Sequence, residues 1–115
     1  RYRPIGQPVI LGGSMETGSH LLVGTQKAMD ETFGSVAHGS GRTMSRTKAK
    51  NEIDGKDLQD KMLKKGIYVR STSMQGLAEE AGSAYKNINS VVDVLDSYGI
   101  ARKVVGFNPI GNIKG

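Results

Sequence analysis

Glycine stands at the end of several predicted helices and strands in this sequence, and this pattern favours short elements. Two runs of three aliphatic residues, residues 9–11 and 21–23, are each followed directly by glycine. Glycine lets the backbone turn and costs conformational entropy inside an element, so it tends to stand where an element ends. Only two phenylalanines and no tryptophan accompany the 16 glycines in 115 residues. We therefore expect a thin hydrophobic core, typical of part of a larger body.

The spacing of the apolar residues predicts both strands and helices. Short strands are predicted at residues 9–11, 21–23, 67–70, 104–105 and 110–113. Helices are predicted at residues 25–33, from Ser45 onward, and at residues 56–65, 74–81 and 88–98. In the first of these helices, Met29 and Phe33 are expected to share one face. Helices and strands without regular alternation indicate an α+β fold, and no repeat or linker divides the chain.

The densest group of reactive side chains lies between residues 38 and 46. There, one histidine precedes small residues and two arginines: His38, Gly39, Ser40, Gly41, Arg42 and Arg46. Imidazole can act as nucleophile, base or metal ligand near neutral pH. Glycines let backbone N–H groups approach an anion, and guanidinium groups bind phosphate oxygens with paired donors. The pattern favours covalent phosphoryl or nucleotidyl transfer, although a histidine in such a loop is more often an ordinary polar residue.

The sequence also argues against several kinds of site. It contains no cysteine and two histidines, so we expect no disulfide, no thiolate metal site and no closed zinc site. No apolar run approaches the roughly 20 residues of a membrane span, and no secretory signal is seen. A cytoplasmic protein without membrane contact is the expectation.

Positive charge is concentrated in one stretch. The net charge is +5, and residues 42–50 contain four cations without an acidic residue: Arg42, Arg46, Lys48 and Lys50. Such a stretch can follow a nucleic-acid backbone, although a solvated helix face is its commoner meaning.

Several motifs, in order along the chain, resemble the tRNA-splicing ligase family RtcB. Residues 38–46 are similar to the family's His-Gly-Ala-Gly-Arg core and the Ser-Arg that follows, with Ser40 replacing the usual alanine. Residues 13–15, followed by Thr17 and Ser19, resemble its Pro-Gly-Ser-Met loop, with Gly12 in place of the proline. Further similar blocks are residues 22–25, 31–34, 66–67, 79–81, 84–86, 109–111 and 114–115. The resemblance implies an α+β, RtcB-like mixed fold in which residues 1–115 form the C-terminal portion of a larger catalytic domain.

This resemblance also implies an activity. An RtcB-like ligase uses GTP and Mn²⁺ to guanylylate the histidine that corresponds to His38. GMP then passes to an RNA 3′-phosphate, also reached from a 2′,3′-cyclic phosphate, and a 5′-hydroxyl end displaces it, in tRNA splicing or RNA repair. The implied partners are RNA (tRNA exon halves or broken RNA), the remainder of the polypeptide and an archease-like activator.

The resemblance assigns roles to individual residues. A nucleotide-binding loop, residues 12–19, contributes Gly12, Gly13, Ser14, Met15 and Ser19. Within the guanylylated-histidine motif, residues 38–46, the nucleophile His38 is followed by nucleotide contacts from Gly39, Ser40 and Gly41. Nearer the C-terminus, Tyr85 packs by the base or ribose and Lys114 donates to the guanine. RNA or triphosphate oxygens are assigned to Arg42 and Arg46.

Each assignment has a plainer alternative. Without the resemblance, Ser14 and Ser19 would be expected to satisfy turn N–H groups, Tyr85 to lie in the core and Lys114 to be a solvated tail. His20 matches no role in the family and is expected to be structural.

The manganese ligands that the family uses, a cysteine, an aspartate and several histidines, correspond to upstream sequence, so residues 1–115 alone are expected to be inactive.

Two other functions stay open at this stage. A non-catalytic RNA-binding module with the same fold is one alternative. A family member that acts on DNA ends, or in RNA repair instead of tRNA splicing, is the other.

Overall fold

The fold combines five helices and five strands in a computed structural model that describes residues 2–115. The strands are β1 (Pro8–Gly12), β2 (Ser19–Gly24), β3 (Tyr68–Ser71), β4 (Ala101–Phe107) and β5 (Gly111–Lys114). The helices are α1 (Gln26–Thr32), α2 (Arg46–Glu52), α3 (Gly55–Lys64), α4 (Met74–Glu79) and α5 (Ile88–Tyr98), with a 3₁₀ turn at Gly82–Ala84. The predicted α+β class is confirmed.

The strands form two small sheets. In the larger sheet the order is β1-β2-β4, and both pairs are antiparallel. In the smaller sheet β3 and β5 are parallel, so the C-terminal strand lies beside a strand from the middle of the chain. Each of the two sheets in residues 2–115 packs against its own hydrophobic core.

The larger sheet has one face against α5, which builds the first core. This first core is a cluster of five buried residues: Leu11, Leu22, Ile88, Val92 and Ala101. On the other face of the sheet, Ile10, Leu21 and Val105 lie side by side in the strand pairing. Ile10 is 63% exposed and Val105 is 42% exposed. Because side chains alternate between the faces of a sheet, this row turns away from α5 and forms an uncovered apolar surface.

The second core lies between α3, α4 and β3. It consists of Met15, Leu58, Met62, Ile67, Val69, Leu77 and Ala81. Met15 and Leu11 belong to different cores although they are close in sequence. The loop between them therefore connects the two halves of the fold.

Side-chain caps explain where most helices begin. The hydroxyl of Ser45 accepts from the Lys48 N–H at the start of α2, and a carboxylate oxygen of Asp54 does the same for Asp57 in α3. Each capped N–H is one of the donors that a helix leaves without a partner in its first turn. At the end of α5, Gly99 takes a left-handed conformation with φ of 85°, which ends the helix as predicted.

The prediction of a shared face for Met29 and Phe33 is wrong. Helix α1 ends at Thr32, and Phe33 takes a left-handed conformation with φ of 55° as the C-cap. Its side chain is 96% exposed, and that of Met29 is 61% exposed. The left-handed turn rotates Phe33 out of the helical register. The four-residue spacing therefore does not place the side chains of Met29 and Phe33 on one face of the helix.

Other boundaries moved by a few residues. Strand β4 begins at Ala101 instead of residue 104, because Ala101 already pairs with Gly24 of β2. Helix α4 ends at Glu79, and the predicted residues 80–81 lead into the 3₁₀ turn. No helix within residues 2–115 has the length and apolarity needed to cross a membrane.

Candidate functional site

The backbone of the histidine motif lies beside the end of β1. The N–H of Gly12 donates to the carbonyl of His38 at 3.3 Å, and the N–H of Ser40 donates to the carbonyl of Gly12 at 3.0 Å. This pair of bonds aligns Gly39 with Gly12 in parallel, and Ser19 of β2 pairs with Gly12 on its other side. Gly39 therefore lies on a backbone segment next to two predicted nucleotide contacts of the loop, Gly12 and Ser19. The side chain of His38 is exposed.

The other edge of the motif is bonded to residues 84–86. The N–H of Lys86 donates to the carbonyl of Gly41 at 2.9 Å, and the N–H of Thr43 donates to the carbonyl of Ala84 at 2.9 Å. Arg42 and Tyr85 face each other across this pairing. The motif is thus held on both edges, which fixes the backbone from which the His38 imidazole projects.

The predicted nucleotide-binding loop is ordered largely by its own side chains. The hydroxyl of Ser14 accepts from the N–H groups of Glu16 and Thr17, each at 3.2 Å, and Ser14 is only 7% exposed. Met15 is 4% exposed, and its carbonyl accepts from the amide of Asn112 at 3.2 Å. Ser14 therefore fills the turn-satisfying role that the plainer alternative predicts, and the Met15 side chain lies in the second core.

The carboxylate of Glu16 connects this loop to the second half of the fold. One carboxylate oxygen of Glu16 accepts from the N–H of Gly82 at 2.7 Å, and the other lies 3.3 Å from the ammonium group of Lys65. These contacts join the loop to α3 and to the turn before Tyr85.

Two glycines at the meeting point of loop and motif are not required by the fold. A Cβ atom at Gly12 would come no closer than 4.0 Å to a neighbouring atom, and one at Gly39 no closer than 3.5 Å. By contrast, Gly13 has no room, since a Cβ there would lie 2.6 Å from the carbonyl oxygen of Gly18. Gly41 has a φ of 75°, which itself favours glycine. The space over Gly12 and Gly39 is open to the close approach of another molecule.

Ser40 adds an unpaired polar atom beside these glycines. Ser40 is 5% exposed, and its hydroxyl has no hydrogen-bond partner among residues 2–115. A buried hydroxyl without a partner costs free energy, so such groups usually mark a place where a ligand or solvent completes the bonding.

A polar cluster lies next to the motif and includes three predicted site residues. One oxygen of the Glu80 carboxylate accepts from the Tyr85 hydroxyl at 2.8 Å and lies 3.4 Å from the Lys114 ammonium group. Its other oxygen lies 3.8 Å from the guanidinium of Arg42. Arg42 in turn donates to the Tyr85 hydroxyl at 2.9 Å, with its guanidinium carbon 4.7 Å from the ring centre. Here the four residues are called the Glu80 cluster.

The charges of the Glu80 cluster shift two pKa values. Burial raises the pKa of Glu80, but hydrogen bonds from Tyr85 and Lys114 and the charges of Lys114 and Arg42 outweigh it, so the pKa lies below its ordinary value. Burial, and then the hydrogen bond to Glu80, raise the pKa of the Tyr85 hydroxyl. Glu80 is therefore held as a carboxylate and Tyr85 as a neutral phenol.

The two predicted phosphate-binding arginines are placed differently. Arg42 also donates to the carbonyls of Met44 at 3.0 Å and Glu79 at 2.7 Å, so its donors point into the protein. Arg46 is 68% exposed, and its guanidinium lies 3.4 Å from the Glu79 carboxylate. Of the two, Arg46 presents the guanidinium that a second molecule can reach.

Folding brings acidic residues to the basic stretch at 42–50. Lys50 shares the Glu79 carboxylate with Arg46, and Lys48 pairs with Glu52 at 3.7 Å. Glu79 and Glu80 were not predicted as site residues. Two consecutive acids at the end of a helix are visible in the sequence, but only the fold shows which cations they face.

The remaining histidine and the acidic residues do not build a metal site here. The His20 ring bonds through Nε2 to the amide oxygen of Asn89 at 3.1 Å, which agrees with a structural role. Within residues 2–115, no three side chains of histidine, cysteine, aspartate or glutamate come together in a way that could hold a metal ion.

Comparison with known proteins gives a consistent result along the whole chain. The family described as "tRNA-splicing ligase RtcB" matches residues 1–115. The chain is 51% identical to the tRNA-splicing ligase RtcB of Pyrococcus furiosus and 53% identical to that of Archaeoglobus fulgidus, with 99% of the chain covered in each case. It is 48% identical to the RNA-splicing ligase RtcB homolog 2 of Entamoeba dispar, again over 99% of its length. The chain spans 12%, 24% and 22% of these three relatives.

Proposed function

The chain belongs to the tRNA-splicing ligase RtcB family, and from this membership we propose that it forms the C-terminal, nucleotide-binding portion of an RNA ligase. The observation that carries the proposal is the alignment of Gly12 with Gly39, beside the exposed His38. The N–H groups of Gly12 and Ser40 are used within this pairing, so the two glycines offer an open surface without side chains next to the imidazole. The triphosphate of a nucleotide can approach the backbone closely at such a surface.

The proposed reaction starts at His38. An imidazole nitrogen attacks the α-phosphorus of GTP, a phosphorus–nitrogen bond forms, and pyrophosphate leaves with the electron pair of the broken P–O bond. An RNA 3′-phosphate oxygen then attacks the phosphorus of the GMP group and releases the imidazole. Finally, a 5′-hydroxyl attacks the activated 3′-phosphate, its proton is lost, and GMP leaves as the RNA strand is joined.

Three polar groups around the histidine motif and the nucleotide-binding loop support a guanine nucleotide as the ligand. The unpaired Ser40 hydroxyl supplies a donor and acceptor next to Gly39. Ser19 lies across Gly12, and the Lys114 ammonium group has donors beyond the one it directs at Glu80. Guanine exposes acceptors at O6 and N7, which suit a lysine donor.

Manganese enters the proposal only as a charge-neutralising ion that would favour displacement at phosphorus. The described residues do not fit a metal centre, so no step above is derived through it. We propose that its ligands belong to sequence outside residues 1–115, and that this segment by itself does not become labelled with GMP.

We propose that the apolar row of Ile10, Leu21 and Val105 packs against the remainder of the ligase polypeptide. The relatives are several times longer than this chain, and an uncovered aliphatic row of this kind is expected where another part of a larger domain is seated. RNA is the proposed substrate, and an archease-like activator and a cytoplasmic location stay predictions.

The decisive experiment compares the two histidines in a full-length ligase of this family that carries residues 1–115. With α-labelled GTP and Mn²⁺, we expect the protein to acquire covalent GMP and the His38→Ala variant to lose both the label and RNA joining. His20→Ala is the matched control, because His20 contacts Asn89 instead of the motif. Labelling that persists in His38→Ala would contradict the assignment.

The alternative is a non-catalytic RNA-binding module with the same fold. The exposed Arg46 is the observation in its favour. A protein of that kind would bind RNA with unchanged affinity after His38→Ala and would take no label in either form. Competition between RNA and DNA ends at a stated salt concentration separates the substrate classes.

A further inference from the structure

We propose that Glu80 is a positioning residue that holds the Lys114 ammonium group and the Tyr85 ring in place for the guanine base. This inference rests on the proposed function and adds a residue to its nucleotide site. Glu80 is the acceptor that Tyr85 and Lys114 share, and it does not lie in the motif or in the loop.

The backbone brings Lys114 to Glu80 through strand β5. This strand pairs in parallel with β3, and Lys114 lies opposite Ser71. Side chains alternate along a strand, so Asn112 and Lys114 share a face. Asn112 uses that face to bond the carbonyl of Met15 in the nucleotide-binding loop. The same face therefore directs Lys114 toward the loop and the motif.

The side chain of Lys114 needs a partner to stay there. It is 32% exposed, and its ammonium group stands at the end of a flexible four-carbon chain. The ammonium group therefore has access to water as well as to the site. The contact to Glu80 occupies one of its three donors and leaves two for a ligand.

The hydroxyl of Tyr85 is fixed by the same carboxylate. Its proton is donated to Glu80, and its oxygen accepts from Arg42. The hydroxyl is thus committed to the protein, and Arg42 lies over one face of the ring, so the opposite face is the part of Tyr85 that remains for a base.

Charge balance explains why a carboxylate is needed at position 80. Arg42 and Lys114 are both within 4 Å of Glu80, and they would repel each other without it. An amide of the same size would keep the packing but not the charge. Glu80→Gln therefore tests the electrostatic role with little change in volume.

The test measures self-labelling with GTP and Mn²⁺ in the full-length ligase. For Glu80→Gln we expect the KM for GTP to rise about five- to tenfold, because a charge-assisted contact that orders a ligand-binding group is lost. The maximal rate of labelling at His38 should change less than about twofold, since Glu80 does not touch the reacting atoms. Glu52→Gln is the matched control: Glu52 also pairs with one lysine, on the surface of α2, and should leave the KM unchanged.

A second variant separates positioning from general loosening. Lys114→Met should raise the KM for GTP and reduce the preference for GTP over ATP, which lacks the O6 acceptor of guanine. Adding Glu80→Gln to Lys114→Met should raise the KM by a smaller factor than Glu80→Gln does alone, because the two residues act together.

The outcomes are distinct. An unchanged KM in Glu80→Gln, or an equal factor with and without Lys114→Met, would overturn the positioning role. If Glu80→Gln lost affinity for GTP and ATP equally and had a lowered melting temperature, the positioning role would be overturned as well. That result would indicate a structural role for Glu80. A wild-type ligase that takes no label from GTP would instead overturn the proposed function.

Discussion

The glycines of this chain differ in whether the fold has room for a side chain at their positions, and only some of them lie at the proposed site. At Gly55, a Cβ atom would lie 2.0 Å from the carbonyl oxygen of Met74, so close packing of α3 against α4 requires glycine there. At Gly39, the nearest atom would be 3.5 Å away and φ is not positive. The fold therefore requires the first glycine but not the second, and the space at Gly39 is consistent with the proposed approach of a ligand.

Alanine at these two positions should have opposite consequences. Gly39→Ala should change the free energy of unfolding by less than about 1 kcal/mol, because its Cβ meets ordinary contacts. The rate of His38 labelling should fall by about tenfold or more, since a methyl group would displace the bound nucleotide from the backbone. Gly55→Ala should destabilise the protein by about 2 kcal/mol through overpacking. Denaturant unfolding and labelling of the full-length ligase measure both effects, and full labelling of Gly39→Ala would contradict a close approach at this glycine.

At the scale of elements, α2 shows how a local signal supports a tertiary contact. Ser45 caps its first turn, and the helix then carries Arg46 and Lys50 toward Glu79 at the end of α4. The cap is a property of the local sequence, whereas the pairing with Glu79 depends on how α2 and α4 pack. The basic charge predicted for an RNA surface is partly balanced for this reason.

Removal of the cap should weaken this element. Ser45→Ala should lower the free energy of unfolding by about 1 kcal/mol, because the Lys48 N–H loses its acceptor at the helix start. Thr47→Ala, at an exposed position of the same helix, is the control and should change stability by less than about 0.5 kcal/mol. Equal effects of the two variants in denaturant unfolding would show that the Ser45 hydroxyl does not stabilise α2.

For the whole molecule, the two cores meet at the proposed nucleotide-binding loop, residues 12–19. Leu11 is buried against α5, and Met15 is buried among α3, α4 and β3. The backbone between them includes Gly12, which bonds the histidine motif. The position of the loop relative to His38 therefore depends on the packing of both cores.

Shortening Met15 should affect stability and function together. Met15→Ala should cost about 2–4 kcal/mol, because a cavity is left in the second core. We also expect a higher KM for GTP, since the loop loses its anchor on that side. Leu63→Ala is the control, because Leu63 lies on α3 but is 60% exposed, and it should change neither quantity appreciably. If Met15→Ala lowered stability without changing the KM for GTP, nucleotide binding by the loop would not depend on the packing of the second core.

The order and type of the elements were determined by the sequence itself. Helices α2, α3 and α5 and strands β1 and β2 lie where apolar spacing, caps and glycines predicted them, because those signals act between residues within one or two turns. The roles of the site residues came from the family resemblance and stay predictions. Three things depended on tertiary structure: the exposure of Met29 and Phe33, the parallel pairing of β3 with β5, and the meeting of Glu80 with Arg42, Tyr85 and Lys114. Each is set by contacts between distant residues, or by a backbone turn that changes which way a side chain faces, and neither leaves a periodic signal in the sequence.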